Sequence, residues 1–476
     1  MNNYKNNSSA FLLYSVLLLL VVFPLKKTIA QNPIILEVNA NNIQGEPAVV
    51  ATAYKAGSCL LGLLPAIKAR ASGNFTTTTI PTPGVTPPLS YINLLIQQIA
   101  GVSVDILGTK YLVTLSTTDK TIFQGLAQSI QQSGNVDVRF SIPASVMAAN
   151  TFYAGIFNTG LIFTTTTLGC SNTFNNNLQL NILPFIGVTT PTPLTISVNN
   201  FETFRSLGVN AQQSFINTRT VPINMQVKGN AVFNFSGPAG ILNPNTGIQN
   251  MKVAISSPAT GAAIALSAAY QNIPGATSLA VPVKNTETDI LTYSLSPSDL
   301  VAGFMQSGTY SNSVYSQITD SRPTPSNPAP AVNLVTPISI QVADLQEIRL
   351  NQTVINLAFN NLADYQNGIV VNTPNHITIS KTNPFDVYVK SNTSVLVNGT
   401  NSIPVSCLQI GPVSGQTDML PITLSTTPQK VISGAKPCLD RNFSVKYSVP
   451  ADKVPLLLGK PPGTYTTTVT YSFTAP

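Results

Sequence analysis

A short phrase recurs three times along the chain, and it constrains the fold more than any other feature. Residues 463–473 alternate Thr with Tyr, Val and Phe after a glycine, which is the period-two pattern of a half-buried strand. Residues 308–315 repeat the phrase, and residues 155–163 are a looser copy. In each copy a glycine stands two positions before an aromatic residue: Gly155 and Phe157, Gly308 and Tyr310, Gly463 and Tyr465. We interpret these segments as the closing strands of three related β modules.

A common lead-in precedes each closing strand. Residues 140–143, 293–297 and 447–450 each begin with an aromatic residue and Ser, and each ends on a proline. Asp299 and Asp452 follow that proline at the same offset in two of the copies. Their recurrence predicts a turn role, in which the carboxylate binds nearby backbone amides.

The remaining runs complete an all-β prediction of tandem immunoglobulin-like sandwiches, because short alternating strands separated by Gly, Pro and Asn are typical of that class. We predict a second module at 192–320, a Pro-rich linker at 321–334 and a third module at 335–476. The second and third modules open with similar runs, 194–198 and 338–342.

The first module, 31–185, is the least regular of the three. Leu and Ile cluster within 57–70 and 89–100, and they recur at helical spacing within 118–133. These segments predict short helical insertions in an otherwise β-rich module.

The first 30 residues are predicted to be a signal peptide. Lys5 precedes an apolar run at 11–23, and Thr28-Ile-Ala30 provides small residues for cleavage. A transmembrane anchor is the alternative, but the run is shorter than the roughly 20 residues that a spanning helix needs. The mature chain is therefore expected to be secreted, extracellular or at the cell surface after periplasmic transit, without a transmembrane anchor.

Four cysteines agree with an exported protein. Cys59 and Cys170 fall in the first module, and Cys407 and Cys438 fall in the third. Four cysteines allow three connectivities, and pairing within modules is the simplest of them. A zinc site is disfavoured because no Cys-x-x-Cys motif or histidine partner accompanies these residues.

Composition and motifs argue against catalysis and against nucleic acid as a partner. Charged residues make up 9% of the chain and the formal net charge is +7, with no basic cluster of the kind that binds nucleic acid. The single histidine, His376, lies in a strand-like run without a nucleophile motif, so we interpret it as structural. No catalytic residue, cofactor site or metal site is predicted.

Glycoside hydrolysis uses a pair of carboxylates, and two pairs of acidic residues lie close together in the sequence. They are Glu287 with Asp289, and Asp344 with Glu347. A chain with 17 acidic residues offers such pairs by chance. We therefore predict structural roles for them and no enzyme activity.

The closing phrase carries a family resemblance. Residues 461–471, Pro-Pro-Gly-Thr-Tyr-Thr-Thr-Thr-Val-Thr-Tyr, resemble the end of secreted bacterial β-sandwich subunits of the spore coat U and chaperone–usher pilin type, and residues 307–310 match in part. The resemblance implies a pilin-like, exported, often disulfide-bearing and non-catalytic protein, and the pilins assemble into fibres by strand exchange. Three modules in one chain suit a tip or surface adhesin better than a repeating shaft subunit.

The sequence thus predicts a non-enzymatic surface protein, structural or adhesive, that assembles with or is displayed on the cell envelope. Its partners would be surface proteins engaged by strand addition, since weakly charged, Thr-rich strands leave edges able to pair. The alternative is a carbohydrate-binding module protein acting on extracellular polysaccharide. That alternative predicts a row of exposed tyrosines on one sheet.

Overall fold

The computed structural model describes residues 32–55, 65–77, 85–99, 101–126, 135–238, 244–323 and 325–474. The chain forms two compact units, Met1–Leu183 and Pro184–Pro476. Strands dominate both units, so the predicted all-β class of sandwich modules is confirmed. The predicted signal peptide, 1–30, lies outside the described residues. Within the described ranges, no helix has the length and apolar character needed to cross a bilayer.

The first unit is a two-sheet sandwich with three short helices, α1 (Ala40–Ile43), α2 (Val104–Leu107) and α3 (Ala144–Ala149). Its strands are β1 (Ile34–Val38), β2 (Ala48–Lys55), β3 (Ala66–Ala71), β4 (Thr76–Thr77), β5 (Asn93–Ile99), β6 (Val102–Ser103), β7 (Gly108–Lys110), β8 (Val113–Thr114), β9 (Lys120–Gly125), β10 (Asn135–Ile142), β11 (Gly155–Thr167) and β12 (Cys170–Ile182). One sheet has the order β1-β12-β11-β3-β9-β7 with β4 beside β11, and the other has the order β2-β10-β5-β6 with β8 beside β5.

The closing strand of this unit lies in the middle of its sheet. Alternation along β11 places Phe157, Leu161 and Phe163 on the inner face, where each is 0% exposed. A tight turn leads from β11 into β12, which pairs antiparallel with it along its whole length. The start of the unit, β1, then pairs in parallel with the end of β12.

The first unit does contain short helical insertions, α1, α2 and α3, but these lie outside the three segments that were predicted to form them. Residues 66–71, 93–99 and 120–125 are strands β3, β5 and β9. Polar residues alternate with buried ones there, as where Lys68 lies between Ile67 and Ala69, so period-two packing overrides the clustering of Leu and Ile. Leu89–Tyr91 forms a single 3-10 turn, and the few other described residues of these segments are irregular. The remainder lies outside the described residues.

The second unit contains two sandwiches in succession. The first of these, called here the middle sandwich (186–342), contains helix α4 (Pro297–Gly303) and a π-helical turn at Thr203–Leu207. Its strands are β13 (Ile186–Val188), β14 (Leu194–Val198), β15 (Val209–Arg219), β16 (Ile223–Gly229), β17 (Asn234–Ser236), β18 (Lys252–Ser257), β19 (Ile264–Ala265), β20 (Gln271–Asn272), β21 (Thr286–Leu295), β22 (Gly308–Asp320) and β23 (Val332–Val342). The sheets have the orders β13-β15-β21-β18-β19 and β14-β23-β22-β16-β20, with β17 beside β22.

The structure corrects the predicted boundary between the second and third modules. Residues 338–342 were expected to open the third module, but they belong to β23, which pairs antiparallel with β22. The same residues pair in parallel with β14, from Leu194 opposite Ile338 to Val198 opposite Val342. The two similar runs are therefore neighbours in one sheet, and the Pro-rich segment is a loop between two strands of that sheet.

The second sandwich of this unit, called here the C-terminal sandwich (346–474), contains helix α5 (Leu362–Asn367). Its strands are β24 (Gln346–Leu350), β25 (Gly368–Lys381), β26 (Phe385–Ser391), β27 (Val395–Asn398), β28 (Asn401–Pro404), β29 (Gln409–Pro412), β30 (Ile422–Thr423), β31 (Gln429–Ala435), β32 (Cys438–Pro450) and β33 (Val469–Thr474). One sheet has the order β24-β25-β32-β29-β30, a smaller one has the order β31-β26-β33, and β27 and β28 form a hairpin.

The repeated lead-in has the same architecture in all three copies. Strands β10, β21 and β32 end at its proline or within two residues of it. A short helical segment follows: α3, α4 or the 3-10 segment Ala451–Leu456. The closing strand begins at Gly155 and at Gly308 in the first two copies. In the third it begins only at Val469, because Thr466 exchanges backbone hydrogen bonds of 3.0 Å with Val397 of β27. The prediction of one strand over 463–473 is therefore corrected to 469–474.

Candidate strand-accepting edge

The three closing strands differ in what lies beside them. In the first unit β11 lies between β12 and β3, and in the middle sandwich β22 lies between β23 and β16. In the C-terminal sandwich, β33 pairs with β26 on one side, and no strand of the described residues pairs with its other side. The position that β12 and β23 fill in the other two sandwiches is thus open beside β33.

An open strand edge leaves backbone groups without partners. Every second residue of β33 directs its N–H and C=O toward β26, and the residues between direct theirs to the open side. Such a row of free donors and acceptors is a template for another strand.

The inner face of β33 is also incompletely covered. Val469, Tyr471 and Phe473 are only partly buried, although they pack against the C-terminal core. Counting from the repeated glycine, Val469 and Phe473 correspond to Val314 and Ile318 of β22, which are 0% exposed. The difference in burial is what a missing neighbouring strand would produce.

A buried chain of hydrogen bonds fixes β33 from beneath. The hydroxyl of Tyr471 lies 2.7 Å from that of Tyr447 on β32, which in turn lies 2.8 Å from Nε2 of His376 on β25. The imidazole packs edge-on against both tyrosine rings. Burial raises the pKa of Tyr447 to about 12 and lowers the pKa of His376, so all three groups are neutral at pH 7. The predicted structural role of His376 agrees with these contacts.

The repeated tyrosines make one contact in common. Tyr310 donates its hydroxyl to the carbonyl of Gln306 at 2.8 Å, and Tyr465 donates to the carbonyl of Pro461 at 2.9 Å. Both acceptors lie four residues upstream. Each tyrosine therefore stabilises the turn that leads into its closing strand, as tyrosine corners do. Phe157 has no hydroxyl for this bond. In the first copy, Gly155 and Phe157 are held by the pairing of β11 with β12 and β4 and by the burial of the Phe157 ring.

The recurring acids divide between two roles. Asp299 accepts from the backbone N–H of Ser296 at 3.1 Å in a capping box at the start of α4, so its predicted turn role is confirmed. Asp452 instead forms an exposed ion pair with Lys453 at 3.4 Å.

The middle and C-terminal sandwiches are joined by a polar clamp centred on Arg205. Its guanidinium donates to both oxygens of Asp440, at 2.9 and 2.8 Å, and to Glu347 at 3.0 Å. The hydrogen bond from Arg205 lowers the pKa of Asp440 below its usual value. Beside the clamp, Asn383 accepts from the side chains of Gln306 and Ser307, each at 2.6 Å.

The clamp also accounts for one of the paired carboxylates. Glu347 binds Arg205, while its sequence partner Asp344 binds Lys381 at 2.6 Å. The two carboxylates thus serve separate ion pairs.

The cysteines of the C-terminal sandwich are not paired as predicted, since Cys407 and Cys438 are free thiols. Cys438 begins β32, whereas Cys407 lies two residues before Gln409, which pairs with Ser448 near the other end of that strand. At about 3.3 Å per residue the thiols are about 30 Å apart, far beyond the roughly 7 Å that a disulfide spans. Cys170 is not a free thiol. Its pairing with Cys59 stays a prediction, because Cys59 lies outside the described residues.

The row of exposed tyrosines expected of a carbohydrate-binding sheet does not form in the described residues. Tyr111, Tyr270 and Tyr365 are the exposed ones; the first is in the first unit, the second in the middle sandwich and the third on α5. An open pocket of about 290 Å³ does lie on the middle sandwich. Its lining includes amide and hydroxyl side chains, among them Asn230 and Asn234.

Sequence reasoning missed two features of the second unit. One is the open side of β33, which depends on strand pairing in the C-terminal sandwich. The other is a set of buried polar residues inside the middle sandwich. The sequence indicates these buried polar residues, because Asn217 and Arg219 occupy positions of an alternating strand where apolar side chains are expected.

No protein-family model and no curated protein matches this chain. Among solved structures, the enterotoxigenic E. coli CFA/I adhesin CfaE is 11% identical with a TM-score of 0.30, over 66% of this chain and 100% of the other. The CupB6 tip adhesin of Pseudomonas aeruginosa is 10% identical with a TM-score of 0.25, over 63% and 90%. The CsuC–CsuE chaperone–tip adhesion subunit complex of Acinetobacter baumannii gives 10% identity and a TM-score of 0.28, over 65% and 98%. At these values the likenesses assign neither a family nor an activity to this chain.

Proposed function

We propose that this chain is a secreted, non-enzymatic surface protein, structural or adhesive, that assembles with a protein partner by accepting a β-strand along β33. The observation that carries the proposal is the open side of β33, at the position that β12 and β23 fill in the other two sandwiches. Export and display on the cell envelope are supported by the predicted leader and by the low charge of the sequence.

The partner strand is specified by the surface that it would cover. It would run antiparallel to β33, as β23 runs to β22. It would direct alternate apolar side chains inward, as β23 does with Leu334, Ile338 and Ile340, all buried. Each such side chain contributes about 1.5–3 kcal/mol when fully buried, and the backbone groups of β33 would gain partners at the same time.

Self-complementation tests the proposal directly. The β23 sequence, Val332–Val342, is appended after Pro476 through a short Gly/Asn turn, so that it can fold back beside β33. We expect a higher Tm for the C-terminal sandwich and the loss of any heat-resistant oligomers on a native gel. A labelled β23 peptide should bind the unextended chain and should not bind the extended one.

A matched control extension carries Ser at the inward positions of the appended strand. It should leave the Tm, the oligomers and peptide binding as they are in the unextended chain. If the apolar extension behaves like this control, β33 does not accept a strand and the proposed assembly is refuted.

Carbohydrate binding is the second candidate function. The pocket lined by Asn230 and Asn234 favours it, because amide and hydroxyl groups can hydrogen-bond sugar hydroxyls. Retardation of a monomer on a native gel containing one polysaccharide, abolished by Asn234→Ala, would support it. Equal mobility on all gels would exclude it for the polysaccharides used.

A further inference from the structure

A separate feature, which does not rest on the proposed function, lies inside the middle sandwich. Polar side chains face its interior from two neighbouring strands, β15 and β21. Gln213 is 3% exposed, and Asn217, Arg219, Asp289 and Tyr293 are each 0% exposed. Sandwich interiors are normally apolar, because a buried polar group without a partner is unfavourable.

The strand register brings these residues together. Phe215 lies opposite Asp289, and Asn217 lies opposite Glu287. Gln213 and Asn217 stand two positions to either side of Phe215, so both are diagonal neighbours of Asp289 on the inner face. Asn217 donates through Nδ2 to Oδ2 of Asp289 at 2.8 Å.

Three oxygen atoms of this group have no hydrogen-bond donor. They are Oδ1 of Asp289, Oδ1 of Asn217 and Oε1 of Gln213. The amide of Gln213 is turned so that its Nε2 donates to the carbonyl of Ser214 at 3.4 Å, which leaves its oxygen free. Nε and Nη1 of Arg219 and the hydroxyl of Tyr293 are also buried without partners. The register places the three oxygens on Asp289 and on the two residues diagonal to it, where they are available as ligands.

The charges of the group do not cancel. Arg219 donates to the carboxylate of Glu287 and, at 2.6 Å, to the carbonyl of Ala280. With that pair neutralised, Asp289 contributes one further negative charge, and no lysine or arginine of the described residues forms an ion pair with it. A buried carboxylate in this position calls for a positive ligand or a proton.

We propose that the middle sandwich binds a hard metal cation through Oδ1 of Asp289, Oδ1 of Asn217 and Oε1 of Gln213. Carboxylate and amide oxygens are ligands for hard cations. The single excess negative charge and the nearby Arg219 favour a monovalent ion such as sodium over calcium. Bound there, the ion links β15 to β21 and gives partners to all three oxygens.

Thermal unfolding of the full-length chain tests this site. The Tm is measured in sodium chloride, in choline chloride and in calcium chloride at equal ionic strength. We expect the Tm in sodium to exceed that in choline by about 5–10 °C when the ion is near one hundred times its Kd. Asp289→Asn should remove the difference, and Asp299→Asn, the same change in a capping box of the same sandwich, should retain it.

A direct readout covers the case in which Asp289→Asn does not fold. Crystals of the wild-type chain soaked in thallium(I) should show an anomalous peak within bonding distance of the three oxygens. A Tm increase in calcium alone that Asp289→Asn abolishes would also support a cation site, of divalent preference.

Two results would overturn the inference. One is a sodium or calcium effect that persists in Asp289→Asn, which would place the ion elsewhere. The other is a Tm independent of all three salts that rises as the pH falls from 7 toward 4, with no anomalous peak. Burial raises the pKa of Asp289 to about 6, so that rise would show that a proton neutralises Asp289 beside its titratable neighbours Arg219 and Glu287.

Discussion

The hydroxyl of Tyr471 is expected to control how often β33 leaves its sheet. Tyr471→Phe keeps the ring that packs against His376 and removes only the 2.7 Å hydrogen bond to Tyr447. Tyr447 retains its bond to His376, so the change leaves no buried group stranded. The perturbation is therefore confined to the link between β33 and the opposite sheet.

The expected magnitude follows from the loss of one hydrogen bond between neutral groups, about 1 kcal/mol. Because β33 pairs with β26 alone among the described strands, it can open without unfolding the rest of the sandwich. A loss of 1 kcal/mol corresponds to about a fivefold increase in the open population. Tyr447→Phe should have the larger effect, about 2–3 kcal/mol, because it leaves both His376 and Tyr471 without a partner.

Hydrogen exchange followed by mass spectrometry measures this opening. Peptides covering Val469–Thr474 should exchange about five times faster in Tyr471→Phe. Tyr465→Phe is the matched control, because its hydroxyl bonds to Pro461 outside β33 and its loss should leave exchange in β33 unchanged. Equal exchange of β33 in wild type and Tyr471→Phe would refute the idea that this hydrogen bond anchors the strand.

Three further outcomes are expected. Asp440→Asn should remove the acid sensitivity of the clamp. Because Arg205 lowers the folded-state pKa of Asp440, the stabilisation of the folded chain by this ion pair is present above about pH 4 and is lost as the pH falls further. A plot of Tm against pH measures this loss. Tyr310→Phe should destabilise the middle sandwich by about 1–2 kcal/mol, measured by urea unfolding, because a buried carbonyl loses its donor; an unchanged midpoint would contradict this. Cys407 and Cys438 should react with a thiol reagent only after denaturation, because burial raises the pKa of each to about 11. Without reductant, two thiols per denatured chain should be labelled; fast reaction of the folded chain would contradict this.

The sequence predicted the fold class because its strongest signal was local. A glycine followed two residues later by an aromatic residue, then by alternating Thr and apolar residues, fixes which side chains of a strand face inward. Phe157 and Tyr310 are both fully buried for that reason. The lead-in was also predicted, since its proline ends a strand and begins a helical turn in each copy.

The errors came from interactions between distant residues. Residues 338–342 resemble 194–198, and the two runs are neighbouring strands in register, so their apolar residues face the same side of the sheet. The alternating pattern shows which residues face inward but not which strand lies alongside. The predicted pairing of Cys407 with Cys438 failed in the same way, because closeness in sequence did not imply closeness along β32. The open side of β33 is likewise a property of pairing, which no single run of residues encodes.

The parallel pairing of β14 with β23 has a mechanical consequence. β14 is the second strand of the middle sandwich and β23 is its last, and they are joined by five register pairs from Leu194 with Ile338 to Val198 with Val342. A pull on the two ends of the sandwich drives parallel strands past each other, so the backbone hydrogen bonds between them share the load and must break together rather than one after another. In the first unit β1 and β12 are loaded in the same way. In the C-terminal sandwich, the described strands give β33 one neighbour, the antiparallel β26, and no parallel one. Under tension we therefore expect this sandwich to extend first, until a strand is added on its open side.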